Sequence, residues 1–232
     1  MNSLVELQNV IKYYEQPGTG NRNVILDKIS LSIQANETIA IVGPSGSGKS
    51  TLLNLIGTLD RPSSGKIFLN EEDVSQMDDY RLADIRTHFT GYVFQLHYLL
   101  PQLTLLENVL LPLLARKDKP NQKTTKERAL LLIERVGLKD QIHQFPYSMS
   151  VGECQRAAVV RALINQPRLL LADEPTGSLD ALNAKQLGQL LVDLNREQQI
   201  ALVVVTHSND LASLMQTKYR LSSGKLNMVE NL

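Results

Sequence analysis

The sequence predicts an α/β fold in which a parallel sheet is covered by helices on both faces and a helix-rich segment is inserted in mid-chain. Three observations carry this reading. A glycine-rich octapeptide, residues 43–50, lies between a short apolar run and a helical pattern. Two further apolar runs, Leu169 to Ala172 and Ile200 to Val205, flank a helical pattern from Ala181 to Asn195. Strands that alternate with helices in this way pair in parallel, because a crossover helix must return the chain to the same end of the sheet. The stretch between about 95 and 165 shows mainly helical spacing.

Taken in order, Val24 to Ile33 alternates apolar with polar residues, and Glu37 to Val42 ends in a β-branched run. Both read as strands, a hairpin-like entry leading into a buried strand. After the glycine-rich loop, Leu52, Leu55, Ile56 and Leu59 recur at helical spacing. Gly65 to Asn70 and Gly91 to Phe94 read as further strands, and Leu105 to Ala115, Thr125 to Val136 and Gly152 to Ile164 as helices. The polar, lysine-rich stretch Lys117 to Lys126, with Pro120, reads as a solvated linker. The core is expected from the two ends of one domain spanning 1–232, about 1–94 and 166–232, with the helical lobe at 95–165.

At 232 residues, with domains of about 150 as the prior, one large domain is expected rather than two. The 24 basic and 24 acidic residues cancel, which removes the electrostatic footprint of a nucleic-acid binder. One cysteine excludes an intrachain disulfide framework and a thiolate metal cluster. The first ten residues carry Glu6 and several amides and show no basic flank before an apolar stretch, so no export signal is expected. The most apolar long window, Leu99 to Ala115, is broken by Gln102, Glu107, Asn108 and two prolines, short of the roughly 20 apolar residues a spanning helix needs. These features lead to an expectation of a cytoplasmic chain that does not cross a bilayer alone.

The octapeptide Gly43, Pro44, Ser45, Gly46, Ser47, Gly48, Lys49, Ser50, followed by Thr51, matches G-x-x-x-x-G-K-[ST]. Glycines let backbone N–H groups converge on a phosphate chain, and the helix that follows adds its positive end. Lys49 would reach the β and γ phosphates and the Ser50 hydroxyl would hold Mg²⁺. The alternative is a flexible glycine-rich surface turn. At the carboxyl end of the next apolar run, Asp173 and Glu174 stand where a doubly wound sheet presents its ligands. Asp173 can serve the metal, while Glu174 can orient or deprotonate the water that attacks the γ phosphate. Without the upstream loop the pair would read as a helix cap. His207 follows the Ile200 to Thr206 run and should emerge at the same edge, as a γ-phosphate sensor or a structural histidine.

Together, Gly43 to Ser50, Gln95 in Val93-Phe94-Gln95, Ser150-Val151-Gly152-Glu153, Asp173-Glu174, Ser178-Leu179-Asp180 and His207 resemble, in order and spacing, the ATP-binding subunits of ABC transporters. The likeness covers nearly the whole chain. Phe94 to Pro101, Leu106 to Val109 and Ala172 to Gly177 are most similar to the branch containing LolD, MacB and FtsE. The resemblance implies an ABC ATPase fold, a P-loop core with an antiparallel β subdomain beside the parallel sheet. It implies ATP and Mg²⁺ as ligands, with Ser50, Gln95 and Asp173 at the metal and Glu174, His207 and Gln95 in catalysis. Tyr14, or failing that Tyr13, would stack on adenine. Two copies would clamp each ATP between one P-loop and the other's signature, Ser150, Gly152 and Glu153, with Asp180 at the interface. The partner implied is an integral membrane permease of FtsX, MacB or LolCE type. This places the chain on the cytoplasmic face of the inner membrane, driving export or lipoprotein release.

Two positions depart from the family pattern. Val151 stands where the family usually has glycine, and its β-branched side chain resists positive φ. Closure is weakened if that φ is required and little affected if Val151 keeps a negative one. A binding or regulatory module with weak turnover, as an FtsE-like subunit would permit, is therefore the competing reading. A small-molecule P-loop kinase competes less well, since Ser150 to Glu153 has no place in one. Cys154 replaces a polar residue and reads as a small packing residue. Arg156 and Arg161 would support the fold beside the signature helix, and Leu96, Tyr98 and Leu99 form either a core cluster or a surface that accepts a coupling helix.

Overall fold

The computed structural model describes residues 3–15, 18 and 21–230. In chain order the described residues form β1 (Val5–Glu15), β2 (Arg22–Ile33), β3 (Thr38–Val42), α1 (Lys49–Ile56), β4 (Ser64–Leu69), β5 (Glu72–Asp73), α2 (Asp79–Phe89), β6 (Thr90–Val93), α3 (Leu105–Leu110), α4 (Gln122–Arg135), α5 (Val151–Leu163), β7 (Leu169–Asp173), α6 (Ala181–Gln198), β8 (Ala201–Thr206), α7 (Asn209–Ser213), β9 (Thr217–Ser222) and β10 (Lys225–Met228). The strands fall into an antiparallel sheet of order β2-β1-β4-β5 and a six-stranded sheet of order β10-β9-β3-β8-β7-β6. In the larger sheet β6, β7, β8, β3 and β9 run parallel and β10 closes the edge as an antiparallel hairpin partner.

The parallel strands are buried on both faces, which explains why they read as unbroken apolar runs. Alternate residues serve different cores: Ala40, Val42, Leu170, Ala172, Leu202 and Val204 pack with α3, α4, α5 and α6. Ile39, Ile41, Leu169, Leu171, Val203 and Val205 pack with α1 and the antiparallel sheet. Every α-helix start except that of α1 is set by a side-chain cap. Asp78, Asn121, Asp180 and Ser208 open α2, α4, α6 and α7, and Thr104 with Glu107 and Ser150 with Glu153 form reciprocal capping boxes at α3 and α5.

Several sequence expectations need correcting. The hairpin-like entry is the antiparallel pair of β2 with β1, while the buried strand β3 that follows lies in the other sheet. The helix expected through Ala115 ends at Leu110 and tightens into a 3₁₀ turn at Leu111–Ala115, since Pro112 brings no N–H to an α-helical ladder. The linker is shorter than Lys117 to Lys126, because Asn121 caps α4 and the helix begins at Gln122. Strands β1, β5, β9 and β10 and helices α2 and α7 have no counterpart among the sequence expectations. In α2 only Leu82 is buried, so no apolar stripe marks it.

Candidate active site

The carboxyl ends of β3, β7 and β8 meet at one edge of the sheet, and the loops that leave them line a cavity of about 640 Å³. Its walls include Ser45, Gly46, Gly48, Lys49, Ser50, Thr51, Gln95, Glu174 and His207. This is the crevice where an open parallel sheet binds its ligands.

The loop after β3 depends on its glycines. A Cβ at Gly43 would lie 2.3 Å from the Leu221 carbonyl oxygen, and Gly48, which opens α1, has φ of 99°. No side chain caps α1, so its first N–H groups and the helix dipole point toward the cavity unneutralised. Lys49 is buried with its Nζ folded back on the Gly43 and Pro44 carbonyls at 2.9 and 3.1 Å, and 3.8 Å from Glu174 Oε1. The ammonium thus sits at the centre of the loop, held by weak carbonyl acceptors that phosphate oxygens would outcompete.

The Ser50 hydroxyl donates to Asp173 Oδ1 at 3.0 Å, joining α1 to the end of β7. Burial pushes the Asp173 carboxyl above its ordinary value; the Ser50 hydroxyl pulls it down and the neighbouring Glu174 pushes it up again. A desolvated carboxylate beside a hydroxyl is a hard-oxygen pair that suits Mg²⁺, an ion usually bound by one or two protein oxygens together with substrate phosphates. Gln95, after β6, lines the same cavity and packs against Gly177, where an added Cβ would meet its amide nitrogen at 3.0 Å.

Glu174 is the strained residue of the site, with φ of 45°. Its amide donates to the Val205 carbonyl at 2.9 Å, which holds the turn against β8. Its Oε2 accepts the His207 amide at 3.2 Å and lies 2.9 Å from His207 Nδ1. The carboxylate is therefore aimed by two groups from the neighbouring strand end, with its other oxygen toward Lys49.

Ser150, Gly152, Glu153 and Asp180 do not line this cavity. The Ser150 hydroxyl accepts the Glu153 amide at 3.3 Å and donates to Glu153 Oε2 at 2.8 Å, and Asp180 Oδ1 accepts the Asn183 amide at 2.9 Å. Within one copy, then, these residues cap α5 and α6. Val151 is the first residue of α5, is absent from the positive-φ residues and is 52% exposed. Its side chain faces outward without backbone strain within one copy, so a demand for positive φ does not arise there. A Cβ at Gly152 would meet Asn183 Oδ1 at 3.2 Å, a tight contact that the Asn183 side chain would have to relieve. Val151→Gly is accordingly expected to leave ATP turnover unchanged within about twofold, while costing a few tenths of a kcal/mol in helix stability. Phosphate release and thermal melts check both, and a tenfold rise in turnover would show that the side chain obstructs closure.

Tyr14, near the end of β1, donates its hydroxyl to Asp60 Oδ2 at 2.9 Å, with Thr51 of the cavity wall close by, whereas Tyr13 packs under Arg22 with the guanidinium carbon 4.5 Å from the ring centroid. Neither ring is among the residues that line the cavity; Tyr14 lies beside it, next to Thr51. Cys154 is buried, as expected of a packing residue, with its thiol pushed up by burial. Leu99 is also core, leaving only Leu96 and Tyr98 exposed of the expected apolar trio. Arg161 had been read only as general support; it donates to the Tyr98 and His97 carbonyls, both at 2.6 Å, and Gln155 donates to the Phe94 carbonyl at 2.7 Å. The Gln95 segment is thereby tied to the same helix that Ser150 caps. No sequence signal marks these pairings, which join residues more than sixty positions apart. Ile25 also lines the cavity and was missed, being one of many apolar residues in β2.

Comparison with known proteins agrees with this arrangement. The family described as ABC transporter matches residues 26–177. The chain is 44% identical to the lipoprotein-releasing system ATP-binding protein LolD of Geobacter metallireducens, over 97% of the chain and 99% of the relative. It is equally identical to LolD of Myxococcus xanthus, over 97% and 98%. Among solved structures, a dimeric ATP-binding cassette in a post-hydrolysis state, bound to ADP and Pi, superposes with a TM-score of 0.87 at 36% identity, covering 98% of the chain and all of the cassette.

Proposed function

The chain belongs to the ABC transporter family as an ATP-hydrolysing subunit, and on that premise we propose that it dimerises on MgATP to drive an FtsX-like membrane permease of the lipoprotein-releasing or macrolide-export type. The observation that carries this is the division of the nucleotide-binding groups. Lys49, Ser50, Asp173, Glu174 and His207 converge at one sheet edge, while the Ser150 cap belongs to another surface. A second copy would bring its Ser150, Gly152 and Glu153, with Asp180 at the seam, to the open side of each cavity. The dimeric cassette of 36% identity supports that arrangement.

In this reading the 43–51 loop cradles the triphosphate and Lys49 leaves its carbonyl acceptors for the β and γ phosphates. Ser50, Asp173 and Gln95 would hold Mg²⁺, which when bound neutralises charge on the β and γ phosphates. Glu174 accepts a proton from water as its oxygen attacks the γ phosphorus, and the bond to the β-phosphate oxygen breaks to leave ADP. His207 holds Glu174 in place and reaches the γ phosphate. Tyr14 stacks on adenine. The core from about 1–94 and 166–232 binds nucleotide, and the lobe from about 95–165, tied to Gln95 through Arg161 and Gln155, relays its state.

No helix among the described residues is long and apolar enough to cross a membrane, so the permease would supply the anchorage, with this chain peripheral on the cytoplasmic face of the inner membrane. Affinity capture from detergent-solubilised membranes should recover an integral membrane protein with a large extracytoplasmic domain. Recovery of no integral membrane protein would overturn the assignment of partner.

A further inference from the structure

Beside the mouth of the nucleotide cavity lies a cluster of side chains that the chemistry above does not use. Lys12 of β1 is 8% exposed and donates from Nζ to Asp60 Oδ1 at 2.6 Å and to the Arg61 carbonyl at 2.9 Å. The Arg61 amide donates to the same Asp60 oxygen at 2.7 Å. The other oxygen, Asp60 Oδ2, accepts the Tyr14 hydroxyl at 2.9 Å. Lys12 and Tyr14 are two residues apart on one strand and therefore share a side, and the Lys12 ammonium stands 4.9 Å from the centroid of the Tyr14 ring. The ring is thus pinned at its tip by a carboxylate and covered on one face by a cation, while the residue stays 47% exposed.

We infer that Asp60 is a positioning residue for the base of the nucleotide: it holds Tyr14 in the one orientation that offers its free ring face to a purine. The inference rests on the reading of Tyr14 as the adenine platform. Its physical basis is preorganisation. A tyrosine on a strand end, exposed and unanchored, would have to surrender rotamer freedom on each binding event. A charge-assisted O–H···O⁻ bond to a carboxylate that is itself fixed by two donors removes that cost beforehand. Burial pushes the Asp60 carboxyl up, but the Lys12 ammonium, the Arg61 amide and the Tyr14 hydroxyl together hold it below its ordinary value. The acceptor therefore stays ionised at neutral pH. Asp60 lies more than forty residues along the chain from Lys12 and Tyr14, which explains why the sequence offers no motif for the cluster.

The test compares affinities for MgATP and for magnesium tripolyphosphate, which lacks a base, in the wild type and in Tyr14→Ala, Tyr14→Phe, Asp60→Asn and the Tyr14→Phe/Asp60→Asn double variant. Tyr14→Ala reports on the platform itself and should weaken ATP about tenfold while leaving tripolyphosphate unchanged. Tyr14→Phe and Asp60→Asn should each weaken ATP about fivefold, the loss expected from one hydrogen bond, again without effect on tripolyphosphate. The double variant should be no weaker than either single one. Tyr14→Phe keeps the Lys12–Asp60 ion pair and so guards against an Asp60→Asn protein that fails to fold. If Tyr14→Ala weakens ATP but Tyr14→Phe and Asp60→Asn do not, or if their effects simply multiply, the role of Asp60 is overturned while the platform stands. Equal loss of tripolyphosphate in Asp60→Asn would reduce Asp60 to a structural partner of Lys12. No effect of Tyr14→Ala would remove the platform and the inference with it.

Discussion

Glu174→Gln should lower ATP turnover by about 10²- to 10⁴-fold, the range associated with loss of a general base, while leaving nucleotide affinity close to that of the wild type. The amide keeps an oxygen for the His207 amide and fills the same space, so the strained turn at φ 45° and its bond to Val205 should persist. What disappears is the capacity to accept a proton. With binding intact and hydrolysis blocked, the closed dimer should accumulate, and light scattering at saturating MgATP should report twice the monomer mass. A Glu174→Gln protein that stays monomeric with nucleotide bound would refute the shared-site arrangement. One that turns over at the wild-type rate would move the base elsewhere.

Lys49→Ala acts earlier, on binding. The buried ammonium is the cation within reach of both the loop carbonyls and Glu174. Its removal leaves the triphosphate facing the Gly43 and Pro44 oxygens without a counter-charge. Truncating one partner of a buried charged pair costs about 2–5 kcal/mol, so ATP affinity should fall by at least about thirtyfold. Because a ligand stabilises only the state it binds, the upward shift in melting temperature that MgATP produces in the wild type should vanish in the variant at the same concentration. Titration calorimetry gives the affinity directly. A Lys49→Ala protein that keeps wild-type affinity would show that the backbone amides and the α1 dipole suffice without the side chain.

These two residues were legible in the linear chain because their chemistry is local. The 43–50 loop lies between a buried strand and a helix that are contiguous with it, and Asp173-Glu174 terminates an apolar run that is itself the strand. Alternation in β2, helical spacing in α5 and α6, and unbroken apolar runs in β3, β7 and β8 reported burial correctly. Helix α2 escaped because its exposed surface leaves no stripe to read, and the β9–β10 hairpin escaped although its Ser223-Gly224 turn, with φ of 48° and 73°, was a usable signal.

Composition and order of residues along the chain were enough to specify an ATP-hydrolysing α/β domain of the ABC transporter family and to single out the 43–50 loop and the Asp173-Glu174 pair, which the fold brings to one sheet edge. All of these depend on neighbours within a few positions, where covalent geometry dictates what meets what. Folding in three dimensions was needed to separate Leu99 from its exposed neighbours, to set the φ of Val151, and to bring Asp60 to Tyr14 and Arg161 to the Gln95 segment. Such pairings join groups tens of residues apart, and their energies depend on packing and desolvation that no periodicity in the chain records.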